Sequence, residues 1–409
     1  MPVPQPEADP VGQPGASPVR IAVLKETRPG ERRVALVPGT VDKLRQLGAD
    51  VRMQAGAAEG ISLPDAAFHN VAFGQDPRSL VGDADIVLAV QPPAVEVVNA
   101  MKPGAILISF VYAEREPALV QALCARRVTC FAMELVPRSS RAQAVDALSS
   151  QAALAGYYAV LLGATKLTRI LPMMTTAVGA LRPATVLVMG LGVCGLQAVA
   201  TAHRLGAIVE GYDVRPETRG EVQSLGARFV DTGIDARGEG GYARELTSDE
   251  RQHVADVLTR HIQQADLVIT TAAVPGRPAP RLVSRPQVEG MKPGSVIVDL
   301  AAEGGGNCEC SRPDEVVRVG QVTVLAPSNV PSLLGEHASE LYAKNQVNLL
   351  QLMLRNGRID IDWSDDILAG SVLTHDGEIK NRTARQALEP RRSEPVQAPD
   401  HVQPGLARS

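Results

Sequence analysis

The sequence has no excess of positive charge: 41 Lys and Arg stand against 45 Asp and Glu, a formal net charge of −4. That leaves no electrostatic footprint for nucleic acid or for an anionic lipid surface. Aromatic residues are scarce, 3% of the chain with one tryptophan, Trp363. The core must therefore be aliphatic, and stacking platforms for exposed bases are missing. The cysteines, Cys124, Cys130, Cys194, Cys308 and Cys310, are odd in number in a long chain. This speaks against a disulfide framework and for a reducing compartment. Cys308-x-Cys310 has no second cysteine pair and no close histidine, so the spacing of a zinc site is absent. The seven histidines are scattered, and His203 falls within a helical pattern as an ordinary surface or groove residue. No G-x-S-x-G, P-loop or H-E-x-x-H occurs, and nothing supports nucleophilic catalysis. The N-terminal stretch lacks the basic start and apolar core of a signal peptide.

Long uncharged runs are few. Residues 147–165 and 183–202 approach the length of a membrane span, which needs about 20 mainly apolar residues. The first carries Ser149, Ser150, Gln151, Tyr157 and Tyr158 and reads as a buried helix of a soluble fold. The second reads as a strand, a glycine turn and a helix.

Apolar residues are plentiful, 45% of 409 residues, enough for a sizeable core. At about 150 residues per domain the length suggests two or three domains. Residues 1–18, with six prolines and two glycines, read as a disordered leader that cannot bury enough apolar surface to offset its ordering entropy. Short apolar strands follow at 20–25, 49–53, 85–90, 105–110 and 128–133, with helical patterns between them at 41–47 and 116–124. Gly48 reads as the C-cap of the first of these. A second set of strands lies at 185–189, 208–212, 267–271, 295–300 and 322–326. Strands alternating with helices predict parallel sheets covered on both faces. The fold class is therefore α/β: two Rossmann-like domains, joined by two long helices across a cleft.

The two halves share letters. Met101-Lys-Pro-Gly-Ala-Ile-Leu-Ile matches Met291-Lys-Pro-Gly-Ser-Val-Ile-Val, and each is preceded by an Ala-Asp strand, 83–90 and 264–270. Leu47-Gly-Ala-Asp-Val likewise matches Leu205-Gly-Ala-Ile-Val. Three matches in one order favour two related domains. The joining helices are placed at about 147–162 and 333–354. The first domain is discontinuous, 19–145 plus 330–381; the second is 146–329. Residues 362–379 carry weak hairpin signals, and 382–409 read as a disordered tail.

The strongest motif is Gly190-x-Gly192-x-x-Gly195. It follows a strand, opens a helix expected at 194–205, and precedes a strand ending in Asp213, which is the full βαβ context of a dinucleotide fingerprint. Gly190 permits the tight turn, Gly192 admits the pyrophosphate to the helix N-terminus, and Gly195 lets helix and strand pack closely. Asp213 would accept hydrogen bonds from the adenosine ribose hydroxyls and oppose a 2′-phosphate, which favours NAD(H). Arg215, beyond Val214, softens that preference. A glycine-rich turn at Gly304-Gly305-Gly306-Asn307 ends another strand, where ligands sit in such sheets; a plain flexible turn is the alternative.

The segment Pro137–Gln151 is dense in hydrogen-bonding groups and sits at the expected cleft. Arg138 can donate bidentate bonds to an amide or phosphate. Gln143, Asp146 and Ser149 are spaced by three, so on a helix they would share one face. The alternative is a solvated helix start with Asp and Ser as caps.

Residues 25–36, 132–157, 188–207, 212–215, 291–308 and 329–332 resemble the soluble alpha subunit of proton-translocating NAD(P) transhydrogenase, which is itself similar to alanine dehydrogenase. The resemblance covers nearly all of residues 20–380. It implies that Gly190, Gly192, Gly195, Asp213, Val214 and Arg215 hold the ADP half of NAD(H), with Gly304 and Asn307 at the neighbouring strand end. It implies that Arg138, Gln143, Asp146 and Ser149 place the dihydronicotinamide and its ribose, supported by Tyr157. Tyr242, among glycines 238, 240 and 241, matches a mobile-loop tyrosine that closes over nucleotide. Gln91 stands where alanine dehydrogenases carry a catalytic lysine, and residues 107–112 offer no counterpart of their catalytic histidine. Amino-acid oxidation needs a proton acceptor; hydride transfer between two nicotinamides needs only alignment. Ala89 departs from a lysine common to both relatives, and His337 from the usual small residues.

The resemblance further implies the split form of the enzyme, with NADP(H) bound by a beta subunit and proton flow through a membrane-embedded subunit. This chain would be a homodimer, peripheral on the cytoplasmic face, handing hydride from NADH to NADP+. The competing readings are an alanine dehydrogenase-like enzyme and a non-catalytic NAD(H) sensor.

Overall fold

A computed structural model describes residues 17–234, 247–273, 278–355 and 357–388. Two sheets dominate it. The first runs, edge to edge, Glu378–Ile379, Val372–His375, Thr129–Ala132, Ile106–Ser109, Ile86–Leu88, Val19–Val23, Ala49–Gln54 and Ala72–Gly74. The second runs Arg228–Phe229, Ile208–Tyr212, Thr185–Met189, Leu267–Thr270, Val296–Asp299, Val322–Leu325 and Val316–Val319. The central strands are continuous apolar runs because helices bury both their faces. Counting parallel strands in chain order, both sheets read 3-2-1-4-5-6, the order of a dinucleotide-binding domain. The α/β expectation of two Rossmann-like domains is what the structure has.

The duplicated letters correspond to a duplicated ion pair. Asp85 accepts the Arg20 N–H at 2.7 Å and pairs with Lys102. Asp266 accepts the Thr185 N–H at 2.8 Å and pairs with Lys292 at 3.2 Å. Asp85 N–H in turn reaches Arg20 O at 2.8 Å, and Asp266 N–H reaches Thr185 O at 2.9 Å. In each domain one aspartate at the start of the fourth strand locks the start of the first, and the lysine of the Lys-Pro-Gly turn neutralises it.

The first joining helix is Ala147–Lys166, longer than expected. Gly156 lets it cross the fingerprint helix, since a Cβ there would overlap the Cys194 carbonyl; at Gly163 a Cβ would overlap Leu267. On its other side Gln151 donates to Ala338 O at 3.1 Å. By length and composition this helix could cross a membrane, but its contacts lie within the fold. The second joining segment begins as a 3-10 turn, Val330–Leu334, and continues as a helix, Gly335–Met353. That helix buries Tyr342, Val347, Leu350 and Met353 in the core of the first domain.

Several elements were not expected: the strand Ala72–Gly74, the hairpin Met174–Thr176 with Gly179–Leu181 and the edge strand Val316–Val319, all short, and the helix Ser248–Gln264, although Thr247 and Glu250 form a capping box and Val254, Val257, Leu258 and Ile262 recur at helical spacing. Three corrections concern placement. Residues 362–379 contain a hairpin, but a helix, Asp366–Ser371, precedes it because Asp365 caps the Ile367 and Leu368 amides. Arg382–Leu388, placed in the tail, is a helix with Ala384 buried. The fingerprint helix is Val193–Arg204, starting one residue early because Gly192 takes the N-cap position. Tyr242 and glycines 238, 240 and 241 lie outside the described residues.

Candidate functional site

The glycine turn is built as its spacing requires. Gly190 has φ +97°, and a Cβ there would sit 2.8 Å from the Ala272 nitrogen. A Cβ on Gly195 would overlap the Gly190 carbonyl oxygen, so helix and strand approach only without it. Gly192 is different: a Cβ there meets nothing within 4 Å. Two of the three glycines serve packing, and the third keeps space open at the start of the helix. Thr271 Oγ1 donates to Gly190 O at 2.8 Å and fixes the turn against the fourth strand.

Asp213 is tied to this turn. Its carboxylate accepts the Leu191 N–H at 2.7 Å and the Arg215 N–H at 2.9 Å. The Arg215 guanidinium forks onto both oxygens, at 3.0 and 2.9 Å. Burial works to raise the carboxyl, but the Arg215 side chain and these amides outweigh it and hold Asp213 below the usual carboxylate range. Arg215 therefore serves the aspartate. Beside it opens a pocket lined by Tyr212, Val214, Arg219, Phe229 and Val254. The Arg219 guanidinium lies 5.2 Å over the Phe229 ring and pairs with Asp231. Sequence reasoning did not find Arg219 or Phe229; they belong to different elements, and no spacing links them.

The Gly304–Asn307 turn follows the strand that ends in Asp299. Gly305 and Gly306 have φ of +105° and +82°. Asn307 is fully buried, and its Nδ2 donates to Ala272 O and Pro280 O, each at 2.8 Å. It staples two loops at the strand ends. Asp299, also missed by the sequence reading, is the hub beneath the turn: it accepts from Thr270 Oγ1, Ala301 N, Cys308 N and Ser311 Oγ.

In the segment 137–151 only the residues from Ala147 onward, Ser149 among them, lie on the helix. Gln143 ends a 3-10 turn, Ser140–Ala142, and Asp146 is the N-cap. The shared helical face expected for Gln143, Asp146 and Ser149 is thus corrected: the Asp146 carboxylate accepts the Ser149 N–H at 2.9 Å, so the helix begins after it. Ser149 Oγ also donates to Asp146, at 2.5 Å. Arg138 and Gln143 are exposed. Ser149 lies seven residues, about 10 Å, along the helix from the Gly156 crossing. Tyr157, 41% exposed, adjoins that crossing.

A buried cluster of charged, polar and aromatic side chains belongs to the first domain. Arg33 and Glu31 form a buried pair at 2.6 Å. Arg33 also reaches Gln151 Oε1 at 2.9 Å and Asn329 Oδ1 at 3.1 Å, so one guanidinium touches both joining segments. Burial works to raise the Glu31 carboxyl, but Arg33 outweighs it and brings it down to about 2. Gln91 Nε2 donates to Glu31 at 2.8 Å. Glu26 accepts the Val90 and Gln91 amides at 2.6 and 3.2 Å, and burial pushes its carboxyl up to about 7. Phe110 packs between Tyr112 and Tyr342, with ring centroids 5.7 and 5.3 Å away. Ala89 is buried, its carbonyl accepting from Tyr342 and Gln346, while His337 is exposed on the second joining helix.

Two family descriptions match the chain: the N-terminal domain of alanine dehydrogenase/PNT over residues 22–155 and the C-terminal domain over residues 159–382. The first polypeptide of the NAD(P) transhydrogenase alpha subunit of Rhodospirillum rubrum is 42% identical over 374 residues, covering 88% of this chain and 97% of that one. A crystal structure of transhydrogenase from Sinorhizobium meliloti superposes with a TM-score of 0.80 at 41% identity, covering 88% of this chain and 99% of that one. An L-alanine dehydrogenase structure, 24% identical, shares the fold with a TM-score of 0.75 over 90% of this chain and 99% of that one. With both domain descriptions matched in order, and a relative aligned over nearly its whole length, this chain belongs to the alanine dehydrogenase/PNT family, on its transhydrogenase alpha-subunit branch.

Proposed function

We propose that this chain binds NAD(H) in its second domain and presents NADH for direct hydride transfer to NADP+ held by a partner subunit. Gly190, Gly192 and Gly195 shape the dinucleotide turn, and the space left open at Gly192 fits a pyrophosphate at the helix N-terminus. Asp213 faces the ribose, Val214 and Arg215 flank it, and the flat Arg219–Phe229 pair suits an adenine ring. Gly304 and Asn307 fix the neighbouring strand ends. Arg138 and Gln143 project without side-chain partners among the described residues, and Asp146 with Ser149 and Tyr157 completes the wall toward the nicotinamide. NAD(H), when bound, supplies the hydride; the chain's own residues bind and orient it.

The observation that carries this reading is the polar and aromatic cluster of the first domain. Gln91, in the place of a catalytic lysine, is tied to Glu31, and an aromatic wall fills residues 110–112. Both oxygens of Glu26 are taken by backbone amides. Neither a lysine at position 91 nor a histidine within residues 107–112 stands there, the two groups that the alanine dehydrogenase reading requires for amino-acid oxidation.

The division 19–145 plus 330–381 and 146–329 gives the two walls of the cleft. The remaining assembly follows the transhydrogenase reading: an NADP(H)-binding beta subunit, a membrane-embedded subunit, and a peripheral position on the cytoplasmic face. A homodimer is supported by the hairpin Met174–Thr176 and Gly179–Leu181, which exposes Met173, Met174, Val178 and Leu181. The test is to combine this chain with an NADP(H)-binding transhydrogenase domain and follow reduction of a nicotinamide analogue. Tight NADH binding without transfer overturns the proposal in favour of a sensor. Turnover of L-alanine with NAD+ overturns it in favour of an amino-acid dehydrogenase.

A further inference from the structure

The segment carrying Arg138, Gln143, Asp146 and Ser149 has almost no regular structure between residues 137 and 146, yet it is held at fixed points by residues from the far end of the chain. At its start, Pro137 lies against Gly370, where a Cβ would overlap the proline ring. At its middle, Arg141 forks onto Asp365 and Asp366, with one contact to Asp365 at 3.2 Å. Asp365 is itself fixed as the cap of the helix Asp366–Ser371. Near its end, the Ala144 carbonyl accepts from both Asn345 and Asn348, each at 2.9 Å. Beside these points Ala142 and Val145 are buried in the first core.

Anchored and free side chains alternate along this segment. Ala142 and Val145 are buried and Arg141, itself half-exposed, is held by its ion pairs, while Arg138 and Gln143, near them in sequence, make no side-chain hydrogen bond among the described residues and are exposed. A forked guanidinium on two carboxylates fixes direction as well as distance. An arrangement of this kind holds a backbone still so that its neighbours meet a ligand in one geometry.

We propose that Arg141, braced by Asp365 and Asp366, is a positioning residue for hydride transfer: with Asn345 and Asn348 it sets the segment from which Arg138 and Gln143 reach the nicotinamide. This rests on the transhydrogenase reading. Arg141 touches no reacting atom; it acts through the backbone on either side of it. The dinucleotide's ADP half is held elsewhere, so loss of Arg141 affects alignment and leaves binding largely intact. Misplacement of about 1 Å remote from the chemistry can slow a reaction roughly 100-fold.

The experiment uses the full complex, with this chain, its membrane partner and the NADP(H)-binding subunit. Single-turnover hydride transfer and NADH affinity are measured for wild type, Arg141→Ala, Arg141→Lys and Asn348→Ala. Arg141→Ala is expected to slow transfer about 10-fold or more while NADH affinity changes less than about twofold. Arg141→Lys, which keeps the charge without the fork, is expected to be intermediate. Asn348→Ala, at a half-buried helix position, gives the same split more weakly and carries the test where Arg141→Ala fails to assemble. An unchanged transfer rate in an active complex, or equal losses of rate and affinity, overturns the positioning role alone. A wild-type complex that binds NADH and transfers nothing overturns the transhydrogenase reading with it.

Discussion

Arg215 grips Asp213 through both carboxylate oxygens, with its Nε 3.0 Å from Oδ1 and its terminal nitrogen 2.9 Å from Oδ2. Under the NAD(H) proposal, the residue that would welcome a 2′-phosphate is thereby engaged in holding the residue that would oppose one. Asp213→Ala releases Arg215 and loses the tie to Leu191. NADH affinity is expected to fall roughly 10- to 100-fold, while NADPH affinity rises or holds, because a like charge is gone. Fluorescence titration with each nucleotide checks this; parallel losses for both would show that Asp213 does not discriminate.

The glycines of the fingerprint separate packing from ligand space. Gly195→Ala forces a methyl group into the Gly190 carbonyl and should cost about 1–3 kcal/mol of stability. Gly192→Ala meets no protein atom within 4 Å, so thermal unfolding should be unchanged while NADH binding weakens at least 10-fold. Equal binding by wild type and Gly192→Ala would remove Gly192 from the pyrophosphate site.

Two glutamates a few residues apart should respond to pH with opposite sign. Glu26 titrates near 7 in the folded chain, above its ordinary value of 4.5. The folded state then holds an extra proton between those values, and stability falls as pH rises from about 4.5 to 7. Glu26→Gln should remove that fall and raise stability at pH 8 by ~3 kcal/mol at most. Glu31 titrates near 2, below its ordinary value. Its contribution is present above about 4.5 and is lost as pH falls toward 2. Glu31→Gln leaves Arg33 buried and unpaired, so it should cost about 3–5 kcal/mol at neutral pH and flatten the acid limb. Denaturant unfolding across pH 3 to 8 reads both.

The duplicated aspartates should act in the same direction, Asp266 the more strongly because it also holds Arg169 at 2.8 Å. Asp85→Asn and Asp266→Asn each weaken a charge-assisted bond to the first strand and strand a lysine. Each is expected to cost about 1.5–3 kcal/mol. Unfolding monitored domain by domain would place each loss in its own sheet; a loss confined to one domain would argue that only one pair contributes to stability.

Much of this was legible in the letters because it depends on neighbours in sequence. Parallel strands buried on both faces are unbroken apolar runs, so both sheets could be read, and Thr185–Met189 and Ile208–Tyr212 match their expected bounds. The fingerprint was legible because glycine spacing reports a tight turn and a close crossing directly. The repeated Lys-Pro-Gly and Ala-Asp letters announced a duplication, though not that each Asp grips the backbone of another strand. Short edge strands escaped because two to four residues carry no period of their own; the helix Ser248–Gln264 was legible in its Thr247-x-x-Glu250 capping box and its Val254, Val257, Leu258, Ile262 stripe, and escaped because its other residues are mostly polar.

The sequence by itself determined the class of fold, the dinucleotide turn and the family, since each is a local pattern of glycines, apolar runs and turn residues. Only the tertiary structure decided that Asp146 is a helix cap, that Asn307 staples two loops, that Gln91 is bound to Glu31, and that Asp365 and Asp366 brace a segment more than 200 positions earlier. Those decisions depend on which charged and polar groups meet after the chain crosses between domains and returns. Hydrogen-bond geometry and burial set them, and neither is written in the spacing of residues along a chain.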